Sequence, residues 1–126
     1  MATRALYVFK DLDQTFIVYK HWDGYPEGAY EYIINAIPFA WELPRFEASD
    51  FSAAFIAGNK KEGGGDIYMT NSDTTNADVM GIEYIYTITG SGKNFVTVKT
   101  EHLGYDEKLP DVDIDGSGIL KMMEVA

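Results

Sequence analysis

Two runs near the start of the chain are apolar at almost every position. Residues 4 to 10 (Arg-Ala-Leu-Tyr-Val-Phe-Lys) and 14 to 21 (Gln-Thr-Phe-Ile-Val-Tyr-Lys-His) are rich in β-branched and aromatic side chains and flank Asp11-Leu12-Asp13, so they read as a hairpin. With the turn centred on Leu12, Arg4 pairs with Lys20, Leu6 with Val18 and Val8 with Phe16 on one face. Tyr7, Phe9, Ile17 and Tyr19 then fill the opposite face. Two apolar faces predict cover on both sides, by helices or by a second subunit. Beyond the hairpin the period changes. Ala29, Ile33 and Ile37 fall at helical spacing between Pro26 and Pro38, which predicts a helix over 27–37. Phe51, Ala54, Phe55 and Gly58 make one stripe and predict a second helix within 45–61, ended by Gly63-Gly64-Gly65.

The remaining pattern is that of sheet. Residues 66 to 70 (Asp-Ile-Tyr-Met-Thr) form a short strand candidate, followed by a polar loop from Asn71 to Asp78. Residues 82 to 88 and 94 to 99 flank Gly90-Ser91-Gly92, a hairpin signal. Gly104 to Gly118 is acidic and turn-rich, and Ile119 to Val125 suits a last strand or a short helix. The expected class is α+β: a mainly antiparallel sheet of two hairpins plus a short strand, with two helices, in the order ββααβββ and with an unassigned C-terminal tail. At 126 residues the chain has material for a single domain spanning 1–126.

Composition narrows the function classes. The chain is 46% apolar and has no cysteine, which removes disulfides, thiolate metal sites and thiol nucleophiles and agrees with a reducing compartment. No apolar run reaches the roughly 20 residues of a membrane span, and Met1-Ala2-Thr3-Arg4 lacks the apolar segment of a signal peptide. No membrane partner and a cytoplasmic location are therefore expected. Twenty carboxylates against ten cations give a net charge of −10, which disfavours direct binding of nucleic acid. The charge is unevenly spread. Residues 1–61 hold six cations against eight acids, whereas residues 62–126 hold four against twelve. An anionic ligand should prefer the N-terminal half.

Motif fragments carry little chemistry. Gly90-Ser91-Gly92-Lys93 lacks the first glycine, the hydroxyl residue and the following helix of a phosphate-binding loop. Asp111-Val-Asp113-Ile-Asp115-Gly116 matches the first half of a calcium loop, but Gly118 and Met122 stand where an apolar residue and a bidentate glutamate belong. A solvated acidic turn accounts for this stretch better than a calcium site. His21 and His102 could form an acid and base pair, and His21 with Asp23 could hold a metal, but no spacing fixes either arrangement. No nucleophile elbow or paired-histidine motif is present. Neither a catalytic residue, a metal nor a cofactor is expected, and the chain reads as a binding protein rather than an enzyme.

The most distinctive stretch is Tyr19-Lys-His-Trp-Asp-Gly-Tyr-Pro-Glu-Gly28. Asp23 and Gly24 suit a tight reversal and Pro26 a helix start, so this is a strand-to-helix junction. In the bland reading Trp22 and Tyr25 plug the end of the core. In the functional reading His21, Trp22, Asp23 and Tyr25 line a pocket beside Arg4 and Lys20, two cations that repel unless an anion or carboxylate lies between them. Arg45, just before the second helix, is a more distant candidate for the same anion.

Together with Ala36-Ile-Pro-Phe-Ala-Trp41 and Leu43-Pro-Arg-Phe-Glu47, this stretch resembles a recurring group of small, largely uncharacterised phage, prophage and bacterial proteins with a Tyr-x-His-x-Asp-Gly-Tyr-Pro core. The resemblance covers roughly residues 4 to 69 and implies no residue-level activity. It implies a phage or prophage accessory setting within the host cytoplasm, where small acidic proteins often antagonise host defence by binding. Two mechanisms fit that setting. One is sequestration of a nucleotide-like signal, with the base stacked on Trp22 or a tyrosine and phosphates paired with Arg4, Lys20 and Arg45. The alternative is an acidic decoy whose C-terminal half occupies a nucleic-acid-binding host protein. Because the hairpin is apolar on both faces, a homo-oligomer burying a patch that includes Tyr7 or Tyr19 is also expected.

Overall fold

The first hairpin forms, but one residue out of the expected register. A computed structural model of the chain describes residues 2–61, 63–71, 81–105 and 109–122, of which 121 and 122 by backbone alone. Strand β1 (Ala5–Lys10) pairs antiparallel with β2 (Thr15–Lys20), with Ala5 opposite Lys20 and Leu6 opposite Tyr19. The slip originates in the turn. The Asp11 amide donates to the Gln14 carbonyl, and Asp11 Oδ1 accepts from the amides of Asp13 at 2.8 Å and Gln14 at 2.7 Å. An aspartate that organises its own turn makes a four-residue connection, Asp11 to Gln14, where Leu12 would otherwise be the centre. Because side chains alternate, one residue of slip changes which ones share a face. Tyr7, Phe9, Phe16 and Val18 now lie together, while Leu6, Val8, Ile17 and Tyr19 lie opposite.

Helices α1 (Pro26–Ala36) and α2 (Ala48–Asn59) cover the face of Tyr7 and Phe9, joined by a 3-10 turn at Ile37–Phe39. Ala29, Ile33, Phe51, Ala54 and Phe55 are buried there, as the stripes predict. The second helix lies within the expected 45–61 but stops before the glycines. Its N-terminus is set by Asp11, whose Oδ2 accepts from the Ala48 amide at 2.8 Å across 37 positions of chain. Its C-terminus is set by Asn59, not by the later glycines: Asn59 Nδ2 donates to the carbonyls of Tyr32 and Phe55, and Asn35 donates to Asn59 Oδ1. These bonds tie α2 to α1. Gly58 permits the close approach, since a Cβ there would fall on the Asn35 carbonyl.

After α2 the chain adds β3 (Ile67–Thr70) antiparallel to β2, then crosses to the far side of β1. There β4 (Tyr84–Lys93) runs parallel to β1, and β5 (Phe95–His102), β6 (Val112–Asp115) and β7 (Leu120–Met122) follow as antiparallel neighbours. The described residues thus form a seven-stranded sheet in the order β3-β2-β1-β4-β5-β6-β7. It is α+β, with a mixed sheet whose central β1–β4 pairing is parallel. Five strands follow the helices: the three expected, β7 in the tail where a last strand was one of two options, and β6, which was not expected. The difference lies in the acidic segment: Val112 and Ile114 are fully buried while Asp113 and Asp115 alternate with them, a period of two that the surrounding turn residues mask. The polar loop Asn71 to Asp78 lies outside the described residues, save Asn71.

Burial also corrects the expected interface patch. Tyr7 is wholly buried and Tyr19 is 6% exposed within one chain, so neither is free to line a contact with a second copy. No helix among the described residues is long and apolar enough to cross a membrane.

Candidate functional site

At the open end of the first hairpin, β2 runs out at Lys20 and the chain reverses into α1. Asp23 takes a left-handed conformation (φ 55°), and the Gly24 amide donates to the Thr3 carbonyl at 2.9 Å. Glycine is required at 24 because a Cβ would lie 2.7 Å from Thr3 O and 2.8 Å from the Ala5 Cβ. The Tyr86 hydroxyl, raised in pKa chiefly by burial, donates to the Gly24 carbonyl and pins the reversal to the sheet. From the other side, the connection from α2 into β3 arrives at the same place. The His21 amide donates to the Asp66 carbonyl at 2.9 Å.

A groove of about 790 Å³ lies between these two segments. One wall is Lys20, His21, Trp22 and Asp23 with Tyr32 from α1; the other is Lys61, Gly63 to Gly65 and Asp66. Trp22 is 47% exposed and meets His21 edge-on at 4.6 Å between centroids. Gly63, Gly64 and Gly65 have open space where a Cβ would project, so the loop presents bare backbone to the groove. His21 is already engaged, its Nδ1 lying 2.7 Å from the Tyr19 hydroxyl.

Of the seven residues expected at the site, four are brought together here: Lys20, His21, Trp22 and Asp23. Tyr25 is adjacent, its hydroxyl pushed up in pKa by the Asp23 charge and by a hydrogen bond to it. Arg4 is not part of it. The register slip places Ala5, not Arg4, opposite Lys20, and the Arg4 guanidinium packs at Gly81, within electrostatic reach of Tyr19 on the helix-free face. Nor is Lys20 a spare cation. It is buried, lies 3.4 Å from Asp66 Oδ1 and sits over the Tyr32 ring at 4.2 Å. The two charges expected to share an anion are therefore separated, and one of them already has a carboxylate. Arg45 stands at the other end of the hairpin, beside residues lining a depression with Lys10 to Gln14. It stacks on Trp41 at 3.4 Å and pairs with Glu47 at 3.0 Å. A six-residue strand separates the two ends by roughly 17 Å.

The other sequence candidates disperse. His21 and His102 lie near one transverse row, Lys20-Ala5-Tyr84-His102, three strand spacings or about 14 Å apart. His102 is stacked between Tyr84 and Tyr105 at 4.2 and 4.0 Å. They cannot share a proton. In the calcium-like segment, Asp113 accepts from the Thr97 hydroxyl, and Asp115 Oδ1 accepts from the amides of Ser117 and Ile119. Among the described residues no cluster of three His, Cys, Asp or Glu side chains is placed to hold a metal.

Lys61, the glycine run, Asp66 and Tyr32 were the groove residues that pattern reading did not assign. The signal was present, because a lysine pair before three glycines suits an anion-facing loop as well as it suits a helix stop. Comparison with family models, with curated proteins and with solved structures yields no match.

Proposed function

We propose that this chain is a non-catalytic binding protein whose ligand is a small nucleotide-like anion seated in the groove at the open end of the first hairpin. The observation that supports the reading is one juxtaposition: the exposed Trp22 ring shares a groove with Lys61 and the bare backbone of Gly63 to Gly65. A π-face takes a base of any sequence, and an ammonium with open amides takes phosphate. The anion site differs from the one the sequence suggests, with Lys61 replacing Arg4 and Lys20. Together with the resemblance of residues 4 to 69 to small phage and prophage proteins, this supports a host-defence antagonist that sequesters a nucleotide signal.

The test is calorimetric titration with the four ribonucleoside monophosphates. At least one should bind wild type. Trp22→Ala should weaken it by about tenfold or more, since base stacking on an aromatic ring is worth about 1–3 kcal/mol. Lys61→Ala, which loses a charge-assisted contact, should weaken it by a similar factor. No binding of any of the four overturns the reading and favours the acidic decoy, which would engage a basic host protein through the carboxylates of the C-terminal half.

A further inference from the structure

Along α1 runs a second groove, of about 660 Å³, that shares no lining residue with the one at Trp22. It exists because two helices do not cover seven strands. Strands about 4.8 Å apart make the sheet about 30 Å wide, whereas two helices side by side cover about 20 Å. Helix α2 packs on β1, β2 and β3. Helix α1 lies over β4 and β5, where the Tyr30 hydroxyl is 3.4 Å from Thr100 Oγ1 and the ring meets Tyr86 edge-on at 6.3 Å. Among the described residues there is no third long helix for β6 and β7. Val112 and Ile114 are nonetheless buried, so what stays open is a channel along α1. Its lining takes residues of α1 from Pro26 to Asn35, about 15 Å of helix, which makes it elongated. Ile34 of α1, Leu109 and Pro110 before β6, and Leu120 of β7 give it an apolar floor. Among the described residues its only charged lining is Glu27 and Glu31, both exposed and one turn apart on α1.

We propose that this groove binds a basic amphipathic helix of another protein, with its apolar stripe on Ile34, Leu109, Pro110 and Leu120 and its lysines or arginines at Glu27 and Glu31. An elongated apolar channel beside a helix takes the i, i+3, i+4, i+7 stripe of a second helix. A helix about 10 Å wide also matches the width of sheet that α1 and α2 leave. Charge selects the sign of the partner. Beyond the two glutamates, residues 62–126 hold twelve acids against four cations, and the whole chain carries −10. A second copy of this chain would bring like charge to the groove, and an acidic helix would meet Glu27 and Glu31 at close range. The proposal goes beyond the nucleotide reading and does not rest on it, since the two grooves have separate linings.

The experiment is fluorescence anisotropy of a labelled peptide of leucine and lysine, about five helical turns long with leucines at i, i+3, i+4 and i+7, beside the same peptide with glutamate for lysine. Wild type should bind the lysine peptide at least about tenfold more tightly than the glutamate one. The double variant Glu27→Gln, Glu31→Gln should weaken the lysine peptide by about three- to tenfold, as expected for two exposed ion pairs. Glu42→Gln with Glu101→Gln removes the same charge from two exposed acids outside the groove, and should change affinity by less than about twofold at physiological salt. Leu120→Ala should weaken binding by about tenfold, with urea unfolding to check that it is folded; if it is not, the two glutamate variants decide. Equal losses in the two double variants would show attraction by net charge alone and overturn the groove. Equal affinity for the two peptides, or none for the lysine peptide, overturns it as well. A wild type that sediments as a dimer and becomes monomeric in folded Leu120→Ala assigns the groove to a second copy and overturns the proposed partner.

Discussion

The two ends of the first hairpin are each fastened by an aspartate that reaches a distant segment, and they differ in what surrounds the carboxylate. At the open end Asp66, 8% exposed, meets the buried Lys20 and fastens the start of β3 to the end of β2. At the turn end Asp11 is only half-buried, organises its own loop and caps α2 through the Ala48 amide. The buried pair has given up hydration and must keep its partner; the half-buried cap retains water as a substitute. The open end therefore tolerates little change and offers a fixed frame for a ligand. The turn end is a fastening that can be loosened by degrees.

The sharpest way to break this comparison is Asp66→Ala. It strands the Lys20 ammonium over the Tyr32 ring, and we expect a loss of about 3 kcal/mol in urea unfolding. The double variant Lys20→Met, Asp66→Leu removes both charges and should recover most of that loss. A double variant as unstable as the single one would show that the pair does more than satisfy itself. The backbone bond from His21 to Asp66 survives in both, so the readout isolates the side chains.

That asymmetry was only partly legible in the sequence. Apolar periods located both helices, which bury one clear stripe each, and β-branched and aromatic runs located the first five strands, of which β1 is buried on both faces. Register was not legible, since it turned on whether Asp11 would accept from Asp13 and Gln14, and Leu12, now fully exposed, looked equally suited to the centre of the turn. One residue of slip then moved the partner of Lys20 from Arg4 to Ala5 and dissolved the expected cation pair. The groove's first wall was legible because Lys20 to Asp23 are contiguous. Its second wall was not, because contacts across 46 positions, such as Lys20 to Asp66, leave no local pattern.

The turn end yields a smaller, pH-dependent effect. Amides of Ala48, Asp13 and Gln14 donate to Asp11 and hold its carboxyl below the ordinary aspartate range. A folded-state pKa below the unfolded one contributes stability that is fully present above the unfolded value, near 3.9, and is lost as pH falls through the folded value. Asp11→Asn should therefore lower the midpoint of thermal unfolding at neutral pH, and the gap from wild type should narrow as pH falls below about 4. A gap independent of pH would place the effect in the turn's shape and not in the charge. The fall at neutral pH should be clearly less than that of Asp66→Ala.

The smallest effect belongs to Arg45, and it tests whether the two ends are independent. Its pair with Glu47 is exposed, with side chains 58% and 46% accessible, so the ionic contact is worth about 0.5 kcal/mol or less. Stacking on Trp41 adds about 0.5 to 1 kcal/mol at such a site. Arg45→Ala should thus lower stability by about 1.5 kcal/mol at most. The sequence offered Arg45 as a phosphate ligand, whereas its place beside the turn leaves it a strand's length from Trp22 and Lys61. Affinity for the nucleotide that binds wild type should be unchanged in Arg45→Ala at low salt, while Lys61→Ala is impaired in the same titration. A tenfold loss in Arg45→Ala would move the anion to the turn end, among Lys10, Pro44 and Gly90, and the open end would keep only its structural ion pair.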